Sequence, residues 1–273
     1  MKKIYILVIA LGMLFLCCKQ RTGLSGMGGG AAQGRGVVQG GVVQTEQQRI
    51  YSKLRKKVAA MVNLYSNRES GVIFFNAEFE KHFKVKSEFE EDYVYAALGG
   101  DKGAMANLKK ILIDINETHA IYGSDGQFYS HNLHEMFRDI GKNCFEPFIK
   151  FFYTKDNFLA RLESVQDVQL LSDIVVDLKT LHEKWVDLIT KLQYEVKEIA
   201  GFYDKYLEFK RTGKEAEMKV YRDKVKDGSS GLILVIRCGI NKSSRGGLIL
   251  CDAIKNFLAA QSEVERKVRA IAN

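Results

Sequence analysis

The stretch from Val165 to Arg211, "VQDVQLLSDIVVDLKTLHEKWVDLITKLQYEVKEIAGFYDKYLEFKR", decides the fold. Leu170, Ile174, Leu178, Leu181, Trp185, Leu188, Leu192, Val196, Ile199, Tyr203 and Tyr206 recur at steps of three and four, the return period of one helical face. Asp173, Lys179, Glu183, Lys184 and Lys191 take the other faces, so the pattern predicts a single amphipathic helix. At 1.5 Å per residue, roughly forty residues make a rod of about 60 Å. Such a rod is either the central strut of an elongated bundle or bends near its end at Gly201.

The segments on either side read as helices that could pack on this rod. Thr45 to Asn67, "TEQQRIYSKLRKKVAAMVNLYSN", opens with Thr45 as N-cap and Gln48 three residues on, the two halves of a capping box. Ile50, Leu54, Val58, Met61, Val62 and Tyr65 then mark its apolar face, with Arg55, Lys56 and Lys57 mostly off it. Ala77 to Leu98 predicts an aromatic-rich helix or pair of helices, stopped by Gly99 and Gly100. Lys102 to Glu117 places Met105, Leu108, Ile111, Leu112 and Ile115 on one stripe. After a turn at Gly123 to Gly126 come Phe128 to Ile140 and Cys144 to Tyr153, the latter with Pro147 in its first turn, where the missing N–H costs nothing.

Beyond Gly213, "KEAEMKVYRDKVKD" predicts a charged helix, and "SSGLILVIRCGI" and "SSRGGLILCDAI" follow it. Their shared "GLIL" could form a pair of short strands, because isoleucine favours them. Cys251, Ile254, Phe257, Leu258 and Val264 continue at helical spacing, which favours two core helices instead. There is one proline, Pro147, and most of the 24 glycines cluster near the start and around Gly228 to Gly247. The long stretches free of helix breakers complete the expectation of an all-α, elongated multi-helix bundle with one long central helix.

Composition narrows the function classes. With 46% hydrophobic and 27% charged residues the chain is a globular protein, and its formal charge is +8. Without Lys2 and Lys3, which belong to a segment expected to be removed, that charge falls to +6. A solvated, lysine-rich helical surface accounts for it, so no nucleic-acid partner is expected.

A serine-hydrolase elbow, a Walker loop, a CxxC pair and an EF-hand are absent as sequence patterns. "HNLHE" sets His131 and His134 three residues apart on one helical face, but the zinc-protease pattern needs histidines four apart with a glutamate between them. His82, His119 and His182 have no partner at recognisable spacing. No catalytic site, metal or cofactor is therefore expected. Phe74, Phe75, Phe148, Phe151, Phe152 and Tyr153 read as packing between helices, with a partner-binding patch as the alternative. Basic runs at Arg55 to Lys57 and Lys219 to Lys226 read as solvated faces, with attraction of polyanions such as glycosaminoglycans as the alternative.

The first 44 residues differ in kind from the rest. Lys2 and Lys3 precede an uncharged run, Ile4 to Leu16, built like a secretory signal. As a helix that run reaches only about 20 Å, short of the roughly 30 Å hydrocarbon core. Arg21 to Gln44 then holds nine glycines and no acidic residue or apolar period, the composition of a flexible tether. Cys144, Cys238 and Cys251 remain in the body. In an exported chain a Cys238–Cys251 bridge is one state and buried free thiols the other, the latter suiting the apolar runs in which Cys238 and Cys251 sit.

The residues "LFLCC" at the end of the oily run resemble the lipobox of bacterial lipoproteins, whose closing cysteine receives diacylglycerol and becomes the new N-terminus. Cys18, preceded by the small Cys17, fits that role better than Cys17, which follows Leu16, although Phe15 is bulkier than the pattern prefers and keeps Cys17 as the runner-up. Residues 1–17 are then a signal peptide, 18–44 the lipidated cysteine and tether, and 45–273 the helical domain. Taken with the glycine tether, the near absence of proline and the lysine-rich helical body, the chain resembles the plasmid-encoded outer-surface lipoproteins of Borrelia spirochaetes. The resemblance implies a domain held on the outer membrane by its acyl chains, with a host serum or matrix protein as partner. A structural or periplasmic lipoprotein is the alternative, and a lipid-anchored enzyme a third.

Overall fold

The computed structural model describes residues 44–68, 88–117, 126–153, 157–234 and 245–272, with no strand among them. The proposed signal peptide, Cys17, Cys18, the tether up to Val43, Phe74, Phe75, His82, His119 and Cys238 lie outside the described residues.

α1 (Glu46–Ser66) starts on the predicted capping box: the Thr45 hydroxyl accepts from the Gln48 N–H at 3.2 Å, and the Gln48 side chain accepts from the Thr45 N–H at 3.0 Å. α2 (Glu88–Ala97) ends at Gly99 and Gly100, both with φ above +60°. A Cβ on Gly100 would fall inside the Asn67 backbone, so the turn requires glycine there for two reasons. α3 (Lys102–Glu117) buries the whole predicted stripe from Met105 to Ile115.

α4 (Gly126–Ile140) and α5 (Glu146–Tyr153) are joined by a π-helical turn, Gly141–Phe145, whose widened bond runs from the Glu146 N–H to Gly141 O. Sequence predicts two separate helices here. The reason for one continuous rod is local: Pro147 supplies no N–H, and widening the preceding turn accommodates its ring. Gly141 also touches α2 so closely that a Cβ would lie 2.6 Å from Tyr93 Cα. A short helix, α6 (Phe158–Arg161), and a 3₁₀ turn lead to the central element.

That element, α7 (Val168–Thr212), is one 45-residue helix capped by Asp167, whose carboxylate accepts from the Leu170 N–H at 2.9 Å. It passes through Gly201, which is exposed, so of the two sequence readings the strut is the one observed. Leu171, not Leu170, opens its buried stripe, and Ile189 and Ala200 widen the stripe where neighbours cover both flanks. α8 (Glu215–Leu234) and α9 (Arg245–Ala272) each take in one "GLIL" as helix, not strand. On α9 Leu258 is exposed, and the core line runs Leu250, Ala253, Phe257, Gln261, Val264, Val268.

α1 runs parallel to α7 and α9 antiparallel to it. The Gln47 amide donates to Glu163 O and Val165 O at the start of α7, while the Gln193 amide, far along α7, donates to Leu98 O beside the end of α1. Lys267 near the end of α9 pairs with Asp177 at 2.6 Å, and Phe257 meets Trp185 farther along. Trp185 is the centre of the core: Phe145 stacks on it at 4.4 Å, and Phe148 and Phe257 meet its ring edge-on at 5.8 and 5.5 Å. The four fully buried rings tie α5, α7, α9 and the π turn together.

Candidate interaction surface

The end of α7 folds back as a helical hairpin. Lys210 and Arg211 lie in its last turn, where the helix dipole favours cations, and Gly213 at φ 68° reverses the chain. The Lys214 N–H closes the cap on Phe209 O at 3.0 Å, and α8 then begins with Glu215 and Glu217 in its first turn, again matching the dipole. The arms approach closely because position 228 is glycine: a Cβ there would lie 2.8 Å from Ile199 Cγ1.

Along one side of the seam Tyr221 stacks on Phe209 at 5.5 Å and meets Phe202 at 6.4 Å. These three rings are half-buried, and lysines cover them: Lys224 Nζ lies 4.7 Å from the Tyr221 ring and 5.3 Å from Phe202, and Lys214 Nζ lies 5.6 Å from Phe209. On the other side Lys110 of α3 sits over Tyr203 and Lys210 over Tyr206. Aliphatic stems cover ring surface while ammonium groups stay in water above the ring faces.

Several carboxylates here are spoken for. Asp204 pairs with Lys110, Glu208 with Lys205 at 2.8 Å, and Asp223 with Arg222 at 3.4 Å. Lys210, Arg211, Lys214, Lys219 and Lys224 have no carboxylate at salt-bridge distance among the described residues. Leu207 of α7 and Val220 of α8 are also exposed. The basic run Lys219 to Lys226 is therefore one arm of a two-helix surface. What sequence inspection missed is its aromatic half: Phe202 and Phe209 are seven residues apart on one face, but their partner Tyr221 meets them only after the turn at Gly213.

The other candidates are dispersed or buried. Phe148, Phe151 and Phe152 are core residues, and Tyr153 is half-buried beside them, so packing is the reading that holds for these four. Arg55 lies over the Tyr51 ring at 5.9 Å, on the base of α1. His131 is exposed beside Glu135 at 3.5 Å, whereas His134 is buried and pushed down to about 4 by that burial, with Arg138 adding to the effect. The two imidazoles thus face different surroundings, and the described residues hold no cluster of three metal-ligating side chains.

Cys144 is a buried free thiol pushed up to about 11, chiefly by burial, which keeps it protonated and unreactive at neutral pH. Cys251 is disulfide-bonded to a partner outside the described residues, which corrects the free-thiol reading for that position. A shallow groove at the opposite end of the domain is lined by Arg161, Ser164, Val165, Gln166, Asp167 and Ile271. No described helix is long and apolar enough to cross a membrane. Comparison of the chain with protein-family models, with curated proteins and with solved structures finds no match.

Proposed function

We propose that the protein is a lipid-anchored surface protein of the outer membrane, attached through Cys18, that binds a host serum or matrix protein through an exposed helical face. The single observation that carries the reading is where the two ends of the domain lie. Gln47, three residues after the first described residue, bonds to the residues just before α7, and Ile271 of α9 shares a groove with Val165. Both ends of the described domain therefore lie beside the start of α7. The α7–α8 turn lies at its other end, about 67 Å away by helical rise. An anchor at Cys18 would be joined to the domain at its Gln44 end, and the α7–α8 turn lies at the domain's other end.

Protease treatment of intact cells tests the location: cleavage in the hairpin without lysis is expected, and resistance lifted only by lysis would assign the protein to the periplasm. The full-length chain in detergent micelles, used to capture serum and matrix proteins, tests the binding. Capture of nothing above a lipidated control protein would remove the host-ligand reading.

A further inference from the structure

We infer that the first arm of α8, residues 215–227, is an order–disorder strap that melts off α7 while the rest of the domain stays folded, with Gly228 as its boundary. This is a property of the fold and stands apart from the location and ligand proposed above. Burial divides α8 at that point. Of the thirteen residues of the arm Val225 alone is buried and eight are exposed, whereas Ser229, Gly231 and Leu232 beyond the boundary are buried. α7 is held independently of the arm by α3, through Lys110 on Tyr203 and Asp204.

The sequence weakens the helix at the same place. Asp227, Gly228, Ser229, Ser230 and Gly231 run through its interior, and all five are poorer helix formers than alanine, glycine most of all. Packing holds glycine at position 228, since a Cβ there would press on Ile199. The Ser229 hydroxyl is buried with no hydrogen-bond partner among the described residues, so an opening at this junction returns to water a group that the closed helix leaves unpaired. Gly213 bounds the arm at its other end. A helix of this length is marginal in water on its own, so an arm that parts from α7 loses its helix as well. Its departure uncovers Phe202 and Phe209, which Tyr221 and Lys224 otherwise cover.

The test uses the full-length chain in detergent micelles and brief exposure to trypsin. Lys219, Arg222, Lys224 and Lys226 are cleavage sites on the arm, and the chain's single tryptophan, Trp185, reports the core. Where opening and closing outpace cleavage, the cutting rate follows the population of the open arm. Wild type is expected to be cut on the arm at least about tenfold faster than in α7 between Lys179 and Lys205, with Trp185 fluorescence unchanged. Lys219→Pro breaks the arm's helix at an exposed position and is expected to raise that rate by a further factor of about ten or more. It is expected to lower the urea midpoint reported by Trp185 much less than Ile233→Pro, which lies past Gly228. Equal losses of midpoint in the two proline variants, or a Lys219→Pro chain that does not fold, would overturn the inference. So would cleavage of the wild-type arm no faster than cleavage of α7 between Lys179 and Lys205.

Discussion

Two aromatic clusters sit on the same helix and do different work. Around Trp185, rings from α5, α7, α9 and the π turn meet with no exposed surface, and dispersion and apolar burial hold four elements together. Around Tyr221, rings from only two helices meet half-exposed under lysines. The first arrangement fixes the fold. The second joins α7 to α8 through half-exposed rings, and a local opening there is expected to need less free energy than global unfolding.

The largest effect that separates them is at the core. Trp185→Ala is expected to cost about 3–5 kcal/mol, seen as a lower urea midpoint for the whole domain. Trp185→Phe should lose much less, because the indole Nε1–H is buried without an acceptor among the described residues and its removal relieves that cost. A Trp185→Phe loss as large as that of Trp185→Ala would refute the idea that removing the unpaired Nε1–H offsets part of the lost packing.

Acid should act next, and on the core side. Burial holds His134 neutral down to about 4, below the ordinary imidazole range near 6.5, so the unfolded state binds its proton first as pH falls. Its contribution is fully present above pH 6.5 and is lost as pH falls toward 4, by up to about 3 kcal/mol. Urea unfolding at pH 7 and pH 5 should show a drop that His134→Leu flattens. Gly141→Ala, which drives a Cβ into the Tyr93 backbone, is expected to cost about 1–3 kcal/mol in the same assay.

The hairpin should answer most weakly. Tyr221→Ala is expected to cost about 1 kcal/mol or less globally, yet to speed amide exchange selectively between Phe202 and Val225. A global loss equal to that of Trp185→Ala would abolish the contrast drawn between the clusters.

Much of the fold was legible because it is local. The Thr45–Gln48 box, the Gly99–Gly100 stop and the three-and-four stripe of α7 all depend on neighbours within a turn or two, so the residues themselves encode them. The π turn was not legible: it answers both to Pro147 on its own strand of helix and to Tyr93 of α2. The choice of Leu171 over Leu170, or the exposure of Leu258, depends on which flank a neighbouring helix covers. The candidate surface was half legible. Its lysines form a run in sequence, but the aromatic seam exists only once two antiparallel arms are closed at Gly228.

The parallel course of α1 and α7 has a mechanical meaning. A pull between Gln44 and the turn at Gly213 draws α1 by its base while α7 is drawn by its far end. The contacts from Tyr51 to Val62 are then loaded together, sliding along the helix axes, where an antiparallel α1 would have been peeled one turn at a time. Simultaneous loading raises the force needed for rupture, and the time a chain survives under tension is set by its unfolding rate. Tension between Gln44 and the Gly213 turn thus loads the domain in shear, the stronger of its two possible loading directions.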